Sequence, residues 1–270
     1  MWMIYLFLCL LFLPIPLMLF AVLPGRRRNT APYKQVKYAH RGLHTDDGVV
    51  PENSLLAFQR AREAGYGVEL DVQFTADRQI VVFHDNTLTR MCGVDRRVDE
   101  LTYEELRQLR LKDSDQYIPL LSEALDLLAD TPLVCEFKPM RSYTDTALCA
   151  ATLPLLRAYK GLWVIESFNP FMVRWFRKNA PDVIRGILSK RFENGEVEPI
   201  LRGPLSALMA NFLCRPDFIA YQHSDHSQPF FRLCRLFKPM TVAWTIRSKM
   251  DETAAMPYFD TIIFENYRPE

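Results

Sequence analysis

A chain of 270 residues suffices for one large α/β domain with a substantial core, the favoured reading, or for two small ones. With 33 Lys and Arg against 32 Asp and Glu, the near-zero charge offers no general attraction to polyanions, which demotes nucleic-acid binding. The six cysteines form no C-x-x-C pair and several lie in apolar stretches, a pattern that fits free thiols in a reducing compartment.

Residues 1–23 carry no charged side chain, and as a helix they would run roughly 30 to 35 Å, enough to span a bilayer. The start is uncharged and lacks the basic n-region of a secretory signal, while Arg26, Arg27 and Arg28 follow the apolar run. Residues 1–24 therefore read as a retained single-pass transmembrane helix, with Pro14 and Pro16 able to kink it. The arginine triplet predicts the N-terminus outside and everything from Gly25 onward in the cytoplasm. Residues 25–35 read as a basic juxtamembrane linker.

From residue 36 to 270 strand-like and helix-like segments alternate. The strand candidates are 36–39, 67–74, 80–83, 133–137, 162–166, 183–188, 218–221, 241–246 and 261–264. Among the helices, 54–64 is expected behind Asn53 as N-cap, 102–109 carries a capping box from Thr102 to Glu105, and 122–128 starts at Ser122 in weaker form. Segment 80–83 follows the turn-like Thr75-Ala76-Asp77-Arg78 and reads as a hairpin partner. Eight parallel strands remain, which predicts a (β/α)₈ TIM barrel with its reactive groups at the C-terminal strand ends. Neither G-x-G-x-x-G nor a phosphate-loop signature follows the first strand, so the open doubly wound alternative lacks its usual nucleotide motifs. The chain stops just after the last strand, which leaves the eighth helix missing or very short.

The most informative segment is Val68-Glu69-Leu70-Asp71-Val72. A strand's period of two puts Glu69 and Asp71 on one face, where burial demands a cation, a Lys or Arg, or a raised pKa. Glu136 and Lys138 share a face in the same way on a later strand. Glu69, Asp71 and Glu136 make a hard-oxygen set suited to Mg²⁺ or Ca²⁺ and unlike a structural zinc site. Arg41 and Lys138 could neutralise two of the three carboxylates, and the third would still need a cation or a proton. His40, after the first strand, and His84, after the hairpin, are candidates for general base and general acid near neutral pH. A divalent ion flanked by Arg and Lys would form a phosphate site.

These residues resemble the glycerophosphodiester phosphodiesterase family, metal-dependent TIM barrels of the phosphatidylinositol-specific phospholipase C type. The resemblance rests on His40-Arg41-Gly42, Pro51-Glu52-Asn53-Ser54, Glu69-Leu70-Asp71-Val72, Phe83-His84-Asp85, Leu88-Thr89-Arg90 and Ile118-Pro119-Leu120-Leu121-Ser122-Glu123. It continues through Glu136-Phe137-Lys138, Ser167-Phe168-Asn169-Pro170 and Ala243-Trp244-Thr245. It implies that His40 and His84 are the acid/base pair and that Glu69, Asp71 and Glu136 hold one divalent ion. Arg41 and Lys138 would grip the phosphate, Glu52 would lie close to the metal, and Trp244 would wall the pocket. The stretch from about 85 to 117 matches the family's insertion and is short here. The implied reaction is hydrolysis of a glycerophosphodiester to glycerol 3-phosphate and an alcohol, or of a membrane lysolipid in the manner of a lysophospholipase D. A silent barrel that only binds head groups is the alternative outside enzymology. One departure stands out: Phe264-Glu265-Asn266 replaces the family's common Thr-Asp pair. His223 and His226, after the sixth barrel strand, read as solvated loop residues.

Overall fold

The computed structural model describes residues 14–25, 28–139 and 141–270. In chain order the elements are α1 Pro14–Val22, α2 Ala31–Lys34, β1 Tyr38–His40, α3 Leu55–Glu63, β2 Gly67–Phe74, β3 Ile80–Val82, α4 Thr89–Cys92, α5 Tyr103–Leu106, α6 Leu121–Leu128 and β4 Leu133–Phe137. They continue with α7 Ala147–Ala158, β5 Trp163–Ser167, α8 Pro170–Asn179, β6 Arg185–Ser189, α9 Pro199–Ser206, α10 Asn211–Cys214, β7 Phe218–Gln222, α11 Pro229–Arg235, β8 Met240–Ile246, α12 Lys249–Ala255 and β9 Thr261–Phe264.

Eight strands pair in parallel around a closed ring, β1 meeting both β2 and β9, and β3 adds to β2 as an antiparallel hairpin partner. The (β/α)₈ barrel expected from the alternation is therefore the fold. Its strands alternate between two apolar layers. On β2, Val68, Leu70 and Val72 face the surrounding helices, while Tyr38, Val134, Val164, Phe218, Met240 and Ile263 belong to a separate cluster inside the ring. Gly186 on β6 makes room within that inner cluster, because a Cβ there would stand 2.2 Å from the Phe218 ring.

Several boundaries differ from the sequence reading for identifiable reasons. The first strand begins at Tyr38 and ends on His40, so the histidine is itself the last strand residue. Ser54, not Asn53, caps α3: its hydroxyl accepts the Ala57 N–H at 3.1 Å. The box from Thr102 to Glu105 forms, yet α5 ends at Leu106. Ser122 lies within α6, whose start is held instead by Glu123 accepting the Leu120 N–H at 2.8 Å. The segment between β3 and α6 packs a small core of its own around Phe83, Leu88, Met91, Leu106 and Ile118. In place of an eighth helix, the tail folds back along the barrel: Tyr267 meets Phe264 edge-on at 5.7 Å, and the Pro269 carbonyl accepts from Tyr66 at 2.8 Å.

The expected membrane helix falls outside the described residues over positions 1–13. Its end is α1, and among the described residues no helix is long and apolar enough to cross a membrane. α1 ends against α10 and α11, where the carbonyl of Val22 accepts from the Asn211 amide at 2.9 Å. The described part of the linker, residues 28–35, is partly helical. It carries α2, and Tyr33 packs under the ring with its hydroxyl 3.4 Å from the Trp163 carbonyl. Among the described residues, five cysteines are free thiols, as the spacing implies.

Candidate active site

Parallel register places the charged residues side by side at the C-terminal end of the barrel: His40 lies opposite Glu69, Asp71 opposite Glu136, and Glu136 opposite Glu166. Ligand oxygens of Glu69, Asp71 and Glu136 lie within 4.8 Å of one another, and all three residues are buried. Lys138 reaches into this cluster, its Nζ 2.8 Å from Asp71 and 2.6 Å from Glu136. Arg41 approaches from the β1 end, with Nε 3.5 Å from Asp71, and its backbone N–H donates to Glu69 at 3.0 Å. It adopts a left-handed backbone (φ 54°), and Gly42 follows at φ 81°, where a Cβ would collide with Ala57 at 2.8 Å. Such strain in an arginine is sustained only where its surroundings over-determine it. Here the ion pair and the backbone contact with Glu69 do so.

Six ionisable groups meet with unequal charge: four carboxylates, counting Glu166, face one guanidinium and one ammonium. Burial, then Asp71, Glu136 and Glu166 as like charges, push Glu69 well above the usual carboxylate range. Asp71 goes the other way: although its burial opposes ionisation, Lys138, His84 and Arg41 hold it well below that range. Glu69 Oε1 is buried without a hydrogen-bond partner, and so is Glu166 Oε2. An orphaned buried carboxylate oxygen beside two more carboxylates, all hard donors, fits a divalent cation of the Mg²⁺ or Ca²⁺ kind.

The two imidazoles flank this cluster, and each is anchored through Nδ1 by a carboxylate. His84 meets Asp85 at 2.6 Å. His40 meets Glu265, whose other oxygen takes Arg247 Nε at 2.7 Å. With Nδ1–H donated outward, His40 turns Nε2 toward Glu69, 4.0 Å away. Burial and the Arg41 charge push His40 down to about 4 against the pull of Glu265, so its ring is neutral at physiological pH. Glu52 joins the site through two arginines. It bridges Arg41 at 2.6 Å and Arg90 at 2.7 Å, and Arg90 also grips Asp85 at 2.6 Å. Asn53, also left-handed at φ 55°, donates to Asp71 at 2.7 Å. Trp244, on β8, packs edge-on against Phe168, just after β5, at 5.4 Å, and Phe168 in turn meets Phe192 at 6.1 Å, forming an aromatic row.

All eight polar residues singled out from the sequence thus belong to one network, and Trp244, on β8, packs against Phe168 instead of joining it. His223 and His226 stand apart and are half-buried, not freely solvated: His226 stacks on Tyr258 at 4.2 Å. Sequence reasoning missed Glu265, Asp85, Arg90, Asn53 and Glu166 as parts of the site. Glu166 and Glu265 obey the same signal as the others, a carboxylate at the C-terminal end of a barrel strand. At Glu265 the departure from Thr-Asp keeps a carboxylate where His40 needs one.

The model of the glycerophosphoryl diester phosphodiesterase family matches residues 40–259. The chain belongs to that family. Among its relatives, a glycerophosphodiester phosphodiesterase of Caldanaerobacter subterraneus subsp. tengcongensis is 33% identical over 176 residues, 62% of this chain and 70% of that protein. Human glycerophosphodiester phosphodiesterase 1 is 39% identical over 160 residues, which cover 55% of this chain and 47% of the human protein. The chain thus aligns with only about half the length of its human relative. A phosphodiesterase of Oleispira antarctica, solved in complex with the product sn-glycerol-3-phosphate, superposes with a TM-score of 0.69 at 22% identity, over 85% of this chain and 92% of that one. That likeness establishes the shared barrel.

Proposed function

We propose that this chain hydrolyses glycerophosphodiesters to glycerol 3-phosphate and an alcohol, with one divalent cation, Mg²⁺ or Ca²⁺, held by Glu69, Asp71 and Glu136. The observation that carries this reading is the trio of buried carboxylates, with Glu69 Oε1 unpartnered, set between two imidazoles that carboxylates orient. Bound there, the cation would act as a Lewis acid on a phosphoryl oxygen. The protein supplies the rest. Arg41 and Lys138 take the charge that grows on the phosphoryl oxygens as the transition state forms. His40, neutral and with Nε2 facing the cluster, accepts the proton of the nucleophile, either water or the substrate's own glycerol hydroxyl; in the second case the alcohol departs to leave a cyclic phosphodiester, and a water then opens that ring to give glycerol 3-phosphate. His84 returns a proton to the departing alcohol oxygen, and Asp85 stabilises the imidazolium from which it leaves. Trp244 and Phe168, packed edge-on, would wall the pocket. Glycerol 3-phosphate release from glycerophosphocholine or glycerophosphoethanolamine, abolished by EDTA and by His40→Ala, is the expected outcome. Activity that survives both treatments refutes the mechanism.

Residues 1–24 are proposed to anchor the barrel as a single-pass helix with the catalytic domain cytoplasmic, the domain running over residues 36–270 behind the basic linker 25–35. The uncharged run and the arginine triplet support this. Proteolysis of intact cells should spare the barrel; cleavage from outside reverses the topology.

A further inference from the structure

At the N-terminal end of the barrel, opposite the acid cluster, a cavity of about 520 Å³ opens beside the end of α1. Four guanidinium groups line it, from Arg28, Arg177, Arg185 and Arg215, with Asp217 as the one carboxylate. Asp217 is committed: Arg28 lies 3.3 Å from one oxygen, and Arg185 lies 3.3 Å from the other. The remaining partners of these arginines are neutral carbonyls. Arg177 donates to Leu213 at 3.0 Å, Arg215 to Leu23 at 2.7 Å, and Arg28 to Pro181. Three positive charges in the lining are therefore uncompensated. Arg185 is only 5% exposed, and its Nε is buried with no hydrogen-bond partner. Burial pulls Arg185 below its ordinary value against the opposing charge of Asp217, with Arg28 and Arg177 adding to the lowering, and Arg177 adds to the burial that does the same at Arg215. Four guanidiniums thus crowd around a single carboxylate.

The wall of the cavity is apolar on the α1 side, where Leu23 and Pro24 line it. Above it, Ile15, Leu17 and Phe20 on α1 and Phe212 on α10 are 51%, 65%, 53% and 49% exposed, and the Arg215 guanidinium stacks 4.3 Å over the Phe20 ring. We infer that this cavity binds the phosphate of an anionic phospholipid, whose acyl chains lie along the exposed face of α1. Guanidinium forks match phosphate oxygens geometrically, and a basic pocket beside an apolar helix is suited to an anionic lipid head group. A free phosphate would satisfy the arginines but leave the apolar half uncovered. The inference rests on the anchoring reading of residues 1–24 and adds that the underside of the barrel is held against the anionic leaflet.

Native mass spectrometry of the full chain in detergent, with phosphatidylglycerol or phosphatidylcholine added, tests this. Phosphatidylglycerol adducts should exceed phosphatidylcholine adducts about tenfold, and R28Q/R177Q should remove most of that excess while turnover of glycerophosphocholine is unchanged. Equal adducts with the two lipids, or an excess the double variant retains, overturns the proposal. Displacement of the lipid by millimolar inorganic phosphate also overturns it, in favour of a free-anion site. Carbonate-resistant flotation with pure phosphatidylcholine vesicles reads the anchor separately: wild type and R28Q/R177Q should float alike, and if neither floats the anchor fails and the lipid site with it.

Discussion

Glu265 shows how one side chain can set the chemistry of another. Its carboxylate accepts from His40 Nδ1, which leaves Nε2 as the proton acceptor on the side of the acid cluster. Arg247 and His40 together keep Glu265 ionised, at about 2, against the cost of burial. Glu265→Gln can offer an N–H where an acceptor is needed, favouring the wrong tautomer, so kcat should fall on the order of 10²-fold with KM little changed. Steady-state kinetics checks this, and an unchanged kcat would remove Glu265 from the catalytic apparatus. Glu52 makes a different prediction. Burial raises its pKa, but Arg90 and Arg41 outweigh that and hold it at about 2. A carboxylate depressed on folding adds stability that is complete above its unfolded value of roughly 4.5 and is lost as pH falls from there toward 2. Urea unfolding should therefore separate wild type from Glu52→Gln by on the order of 2 kcal/mol at pH 6, and the gap should narrow below about pH 4.5 and close only as pH approaches 2. A gap independent of pH would mean that the ion pairs with Arg41 and Arg90 carry no net energy. His40, Arg41, Glu69, Asp71, His84, Glu136 and Lys138 were legible because each lies on, ends or follows an apolar strand in a short motif. Glu52 was legible as a motif residue, but its pairing with Arg90, which comes from the insertion, was not.

Among the elements, the strands were read best. Their apolar runs are local and of period two, so 67–74, 133–137 and 261–264 coincide with β2, β4 and β9. Helix starts were read less well, because capping belongs to whichever side chain ends in the extended backbone, and that depends on how the preceding loop is pinned. Asn53 has its side chain engaged by Asp71, and the cap passes to Ser54. The inner packing of the ring depends on one glycine. Gly186→Ala would drive a methyl into the Phe218 ring, which Tyr38, Val134 and Val164 accompany in the same interior cluster. Overpacking of this kind costs about 1 to 3 kcal/mol. Chemical denaturation should find that loss in Gly186→Ala, and Gly186→Ala with Phe218→Leu should recover part of it; no loss at all would show that the ring can shift aside.

For the whole molecule, the decisive relation is between the two ends of the barrel. The acids and imidazoles occupy the C-terminal end of the strands, while α1, α2 and the arginine cavity occupy the other. If α1 continues into a bilayer, the mouth points away from it, and a diester already in water reaches the site more readily than a lysolipid embedded in the same leaflet. Turnover of glycerophosphocholine should accordingly exceed that of lysophosphatidylcholine by at least about tenfold, on the order of 1.4 kcal/mol in transition-state free energy. Preference for the lysolipid would instead support the lysophospholipase D reading.

The amino-acid sequence by itself determined the barrel, the carboxylate trio and the two imidazoles. Each is written in a local pattern: an apolar strand of period two, a polar residue at its end, and a helix before the next strand. Only the tertiary structure decided what those residues meet. Closure of β9 onto β1 brings Glu265 to His40 across 225 positions of chain. Register across β4 and β5 adds Glu166 to the acids, and the ends of α1, α8 and α10 converge on four arginines. Hydrophobic periodicity specifies which face of an element is buried, but a contact between distant elements depends on how the ring closes. No short stretch of sequence carries that information.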